Sequence, residues 1–136
     1  MRNPFKSLFK SSHSPVNHST KVLFASLFPR AINVDWSSGD AMDEAVFYQD
    51  GKEYIACFDK KSKLIEYRFN HTVLEIPSVI EAVVRSYGEI MNVICIFHDI
   101  NTQEADKYEI IYRDKDLIRF SLLLDKKGVV ISVNKL

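Results

Sequence analysis

The sequence predicts an α+β protein: two tandem copies of a helix followed by four strands, sharing one antiparallel sheet of about eight strands with both helices on one face. Three observations lead there. Residues 57–67 read CFDKKSKLIEY and residues 123–133 read LLDKKGVVISV, so one turn-then-strand pattern is written twice, 66 positions apart. Apolar residues fall at helical spacing over Val22–Phe28 and again over Val79–Tyr87. Elsewhere, short runs alternate apolar and polar residues and are separated by Asp, Gly and Ser, as antiparallel strands joined by tight turns are. Repetition at this period makes each copy one supersecondary unit.

In the first copy, Ser19 or Thr20 is placed to cap a helix whose apolar face is Val22, Leu23, Phe24, Leu27 and Phe28, and Pro29 closes it. Ala31–Trp36 alternates as a half-buried strand, Ser37–Asp40 turns, and Ala45–Tyr48 begins a second strand. Gln49-Asp50-Gly51-Lys52 is a hairpin turn, because Asp-Gly supplies the positive φ that a two-residue primed turn requires. Glu53–Phe58 is the third strand, Asp59–Ser62 a turn, and Lys63–Phe69 the fourth strand. After His71 the pattern restarts. Pro77 suits a first helical turn, Val79, Ile80, Val83, Val84 and Tyr87 form the apolar face, and Gly88 stops it. Met91–Cys95 corresponds to Ile32–Trp36, a longer loop spans His98–Asp106, and Tyr108–Tyr112, Ile118–Leu124 and Val129–Val133 complete the strands.

Alternation then sorts side chains by face. Ile32, Val34, Trp36, Tyr54, Ala56, Phe58, Met91, Val93, Cys95, Ile118, Phe120, Leu122 and Leu124 are expected beneath the helices. Tyr48, Ile55, Cys57, Ile94, Arg119, Ser121 and Leu123 are expected on the open face, and residues 105–112 fit either assignment. Domain boundaries follow: a basic leader at 1–18 and one domain at 19–136 made of repeats 19–72 and 73–136.

Composition narrows the function classes. A chain of 136 residues with 46% hydrophobic and 26% charged residues has enough apolar content for its own core. The formal net charge is zero, which argues against a general nucleic-acid binder. Charge is nevertheless uneven: Arg2, Lys6, Lys10, Lys21 and Arg30 precede an acid-rich stretch from Asp35 to Asp59. No apolar run has the roughly 20 residues that a helical membrane span needs. The start, MRNPFKSLFKSS followed by VLFASLF, ends at Pro29-Arg30 without a small-x-small cleavage pattern, so the default expectation is a cytoplasmic protein.

The stretches FPRAINVDW, AVFYQDGKEYIACFD, IPSVIEAVVRSYG and YEIIY…FSLLLDKKGVVISV together resemble the β-lactamase-inhibitor-like, PepSY-like proteins of bacteria over residues 19–136. The resemblance implies tandem repeats, export from the cytoplasm, and a concave sheet of the kind with which an inhibitor grips an enzyme. It supplies no catalytic residues. The second copy departs from the pattern at Asp114-Lys115-Asp116, which has no glycine.

Sites of chemistry are sparse. His13, His18, His71 and His98 have no spacing that brings two metal ligands together, so no metal and no cofactor are expected. Cys57 and Cys95 are assigned to opposite faces, which disfavours a disulfide, and no histidine is placed to activate either thiol. The loop HDINTQEAD shares the composition of a calcium loop and lacks its spacing and central Gly. Asp59-Lys60-Lys61 and Asp125-Lys126-Lys127 read as turn chemistry. What remains is the open face. Tyr48, Ile55, Cys57, Arg119 and Ser121 mix aromatic, apolar and arginine groups, as protein-recognition surfaces do. The expected function is therefore a non-enzymatic module that binds a protein partner, with inhibition of an enzyme as its special case, existing as a monomer or a weak homo-oligomer. The alternative is a small-ligand-binding or simple enzymatic domain with a pocket between helix and sheet, whose inward polar group would come from Tyr87, Glu109 or Tyr112.

Overall fold

The computed structural model describes residues 16–71 and 76–136; of the expected leader, positions 1–15 lie outside them. The element order is α1 (His18–Leu27), β1 (Ile32–Ser38), β2 (Met42–Gln49), β3 (Lys52–Asp59), β4 (Leu64–His71), α2 (Ser78–Arg85), β5 (Glu89–Phe97), β6 (Lys107–Arg113), β7 (Arg119–Asp125) and β8 (Val130–Lys135). The eight strands form one antiparallel sheet in chain order. Two compact units divide the described residues, one containing 16–69 with 98–101 and the other 70–71, 76–97 and 102–136.

In the first unit the α1 cap is Asn17, not Ser19 or Thr20. Asn17 Oδ1 accepts from the Ser19 amide at 3.2 Å, so the cap stands two residues before the first of the expected positions. Thr20 instead turns inward, its hydroxyl 2.8 Å from Ser62 Oγ in the β3–β4 turn. The helix presents Phe24 and Phe28 to β1–β4. Phe24 meets Trp36, Phe47 and Phe58 at ring separations of 5.1, 4.9 and 6.3 Å, and Phe28 meets Phe47, Tyr54 and Tyr67 at 4.9, 6.2 and 5.4 Å. Tyr54 also stacks on Phe69 at 4.9 Å. Each such pair contributes about 0.5–1.5 kcal/mol beyond the area it buries, so this aromatic layer helps to hold the helix on the sheet.

The turns are built as their sequences require. Asp50 and Gly51 both take positive φ, 53° and 77°, closing the β2–β3 hairpin as a primed turn. Asp59 Oδ1 accepts from the amides of Lys61 and Lys63, both at 2.9 Å, and Ser62 takes φ 63°. Arg30 reaches the β2–β3 hairpin and pairs with Asp50 at 2.8 Å, holding that carboxyl below its usual value by hydrogen bonding. Lys60 Nζ lies 2.7 Å from Asp43 Oδ1 and 2.9 Å from Ser38 Oγ, and Ser38 Oγ donates to Asp43 at 2.7 Å. This clamp ties the β3–β4 turn to the β1–β2 end.

In the second unit Pro77 occupies the cap position of α2, and Ile80 and Val84 are its buried residues. Val79 and Tyr87 are exposed, so the apolar face of α2 is narrower than its pattern suggested. Gly88 is required by close approach: a Cβ there would run into the Arg113 carbonyl and lie 2.9 Å from Tyr112 Cδ2. Tyr87 packs on Tyr112, and Tyr112 stacks on Phe120, with centroids 5.7 and 5.3 Å apart. This contact settles residues 105–112: Tyr112, with Ile110 and Tyr108 in alternation, faces the helix, while Glu109 and Ile111 face away. Asp125 Oδ1 accepts from Lys127 N and Val129 N at 2.9 and 3.0 Å, with Gly128 at φ 89°. Asp114 repeats the arrangement at the β6–β7 turn, where Leu117 takes φ 63° in place of a glycine.

Simple alternation fails near the starts of β1 and β5. The β1–β2 register shifts between Ile32 and Asp35, where Asn33 has φ 54°. Ile32 therefore pairs with Tyr48 on the face away from α1, although alternation had placed it beneath the helix, and both Ile32 and Val34 are exposed. A second shift between Ile90 and Asn92 leaves Met91 exposed as well. Further shifts fall at Cys57/Phe58 in the β3–β4 pair and at Leu123/Leu124 in the β7–β8 pair.

Candidate functional site: the helix-free faces

In the first unit the face away from α1 is built from cross-strand rows. Glu44, Cys57 and Glu66 form one row, and Val46, Ile55 and Arg68 the next. Tyr48 lies beyond them, with Ile32 opposite it on β1 and Glu53 opposite it on β3. The rows are not equally open. Ile55 and Cys57 are only 3% and 6% exposed, whereas Tyr48 is 45% and Ile32 61% exposed. The burial has a local cause, because longer side chains stand on either side of the short ones. Arg68 Nη2 pairs with Glu66 Oε2 at 2.7 Å, joining the two rows beside Cys57 and Ile55. The accessible part of this face is thus the Tyr48–Ile32 pair, and Ile32 is a residue that alternation had sent to the core. A bulge shifts parity by one residue, so only a bulge signal such as Asn33 at left-handed φ could have found it.

Cys57 is not poised for nucleophilic chemistry. Burial, followed by the nearby Glu44 and Glu66 carboxylates, pushes its thiol up to about 12, and Arg68 only partly opposes this. Both cysteines are free and buried. Cys95 pairs with Tyr108 on the helix face of its own unit, and burial pushes that tyrosine up to about 12.

In the second unit the corresponding face carries Arg119 and Ser121. Ser121 is buried in the row Asn92–Ile111–Ser121–Asn134, and Arg119 is half-buried in the row Glu89–Arg113–Arg119. Of the five residues singled out in the sequence, Ile55, Cys57 and Ser121 are therefore enclosed by their neighbours, while Tyr48 and Arg119 reach solvent.

Of the residues nominated for a pocket, Tyr87 and Tyr112 come together and pack on each other, while Glu109 faces the other side. An open groove of about 420 Å³ lies elsewhere, within the first unit, lined by Leu23 and Leu27 of α1, Ser62, Lys63 and Leu64 of the β3–β4 turn, and His98–Ile100. Among the described residues no group of three or more His, Cys, Asp or Glu could hold a metal ion, and no helix is long and apolar enough to cross a membrane.

No protein-family model and no curated protein matches the chain. Solved structures do. The chain is similar to a DUF2874 family protein from Bacteroides uniformis ATCC 8492, with TM-score 0.74, 18% identity and 88% of each chain covered. It is similar also to a protein of Bacteroides eggerthii DSM 20697 described as periplasmic, with TM-score 0.76, 17% identity and 90% of each chain covered. A third likeness is to a BLIP-like protein from Bacteroides fragilis NCTC 9343, with TM-score 0.72 and 12% identity over 91% of this chain and 89% of that one. The fold is BLIP-like. These identities are low enough that the likeness speaks for the BLIP-like fold alone, and activity has to be argued from the surfaces of this chain.

Proposed function

We propose that the protein is a non-catalytic binding module that holds a protein partner on its helix-free faces. The observation that carries this reading is the Tyr48–Ile32 pair: an aromatic and a branched aliphatic side chain, directly opposite across β1–β2 and both exposed. An exposed aromatic beside an aliphatic group, rimmed by Glu53 and Asp35, has the composition of an interface centre with a polar rim. The BLIP-like neighbour supports the same reading through its fold, and enzyme inhibition is the form of binding it favours. Export to the periplasm, described for one neighbour, is the compartment consistent with the family resemblance.

We further propose that the two units are tandem copies of one αβ₄ repeat, as in PepSY-like proteins. The register shifts support this. The slip at Cys57/Phe58 and the slip at Leu123/Leu124 stand 66 residues apart, as do the Asp59 and Asp125 turns with matching amide acceptance.

The experiment is affinity capture from host lysate and envelope fractions with the full chain beside its Tyr48→Ala variant. A protein retained by the intact chain and lost by the variant is the expected result. Equal retention of every captured protein by both would refute the assignment. The alternative, a small-ligand site, is favoured by the groove between α1 and the β3–β4 turn, and a thermal-shift screen against apolar carboxylates tests it, since a bound ligand raises the melting temperature by mass action.

A further inference from the structure

We infer that Arg113 and Arg119 together form a receptor for a carboxylate side chain of an acidic segment in a protein partner. This deepens the binding reading above and rests on it. Of the five described arginines, Arg30, Arg68, Arg85 and Arg113 each hold a carboxylate, Asp50, Glu66, Glu81 and Glu89, at 2.7–2.9 Å. Arg119 holds none among the described residues. It stands directly opposite Arg113 in the β6–β7 register, so two like charges face each other on one side of the sheet, an arrangement that is destabilising in isolation. Glu89 answers only one of them, through Arg113 Nη2, and Arg113 Nε is buried with no acceptor. The patch thus carries one whole guanidinium and one further N–H without an anionic partner.

The chemistry selects the occupant. A guanidinium presents a planar fork that matches the two oxygens of a carboxylate, and a second arginine alongside adds charge without adding a competing acceptor. On the same side, the next row places Asn92 and Asn134 on either side of the buried Ile111 and Ser121, two side-chain amides able to meet a peptide backbone. Net charge is zero, so a nucleic acid finds two cations where it needs a stripe. A single acidic side chain from a protein fits the count.

The test uses the full chain titrated with hexaglutamate, with hexaglutamine as the neutral control, read by the ¹⁵N–¹H signals of the arginine side chains. The expected result is a saturable shift at Arg119 with hexaglutamate only, weakened about tenfold or more in Arg119→Gln and weakened by added salt. Relief of the Arg113–Arg119 repulsion leaves the Arg119→Gln melting temperature unchanged or higher, so lost binding cannot be ascribed to unfolding. Hexaglutamate binding that Arg119→Gln leaves intact would overturn the inference. So would tighter Arg119-dependent binding of oligo-dT or phosphatidylserine vesicles than of the peptide. If Tyr48-dependent capture persists while the Arg119 titration shows nothing, the carboxylate receptor falls and the protein-binding reading stands.

Discussion

Cys57 offers the sharpest check on the helix-free face. The reactive form of cysteine is the thiolate, and an ordinary thiol with its value near 9 is about one-tenth ionised at pH 8. With its value raised to about 12 by burial and by Glu44 and Glu66, Cys57 is ionised about once in 10⁴ molecules at that pH. Native Cys57 should therefore react with an aromatic disulfide reagent about 10³-fold more slowly than in urea, measured in a Cys95→Ala variant so that only one thiol reports. The same shift has a stability counterpart. The unfolded thiol loses its proton from about pH 9 while the native one keeps it to about 12, so the contribution is fully present below pH 9 and is lost at about 1.4 kcal/mol per pH unit above it. Replacing Cys57 by Ala should flatten that part of the urea-midpoint profile between pH 9 and 11. Native labelling within tenfold of the unfolded rate would mean that Cys57 is not enclosed between Glu44 and Glu66, and the β2–β3–β4 register would be refuted with it.

Three further outcomes are expected. Phe24→Ala, at the centre of the aromatic layer, should lower stability by about 3–5 kcal/mol in urea titrations, the range for truncating a buried aromatic residue. Asp43→Ala should cost about 2–3 kcal/mol, because Ser38 loses its acceptor while half-exposed Lys60 returns to water; Lys60→Ala should cost less, and a double-mutant cycle should show coupling between the two. Gly88→Ala forces its methyl group against the Arg113 carbonyl and the Tyr112 ring, so its thermal midpoint should fall well below that of Ala82→Gly, which only weakens an exposed helix position of α2; equal losses would mean the close approach at Gly88 is not real.

How much of the site could be read beforehand follows from where the periodicities hold. Tyr48 was assignable to the helix-free face because β2 runs unbroken from Met42 to Gln49 against β3, and period-two alternation is reliable along such a strand. Ile32 was not, because one extra residue at Asn33 inverts the parity of everything before it. Exposure within the face was equally hidden. Ile55 and Cys57 face away from the helix as expected, yet the ion pair between Glu66 and Arg68 and the carboxylate of Glu44 stand around them, and those neighbours come from strands that alternation treats one at a time.

By itself the sequence determined the αβ₄ order, the hairpins and the chemistry of the turns. These depend on interactions within a few residues: Asp-Gly at positive φ, Asp accepting from amides two and four positions on, apolar residues at helical spacing. Only the tertiary structure decided that Arg119 faces Arg113, that Lys60 closes on Asp43, and that Tyr48 is joined by Ile32. Each of those pairings joins residues 6 to 17 positions apart through strand register. Register is set by the sum of core packing, turn geometry and bulges over whole strands, so no short stretch of the chain encodes it.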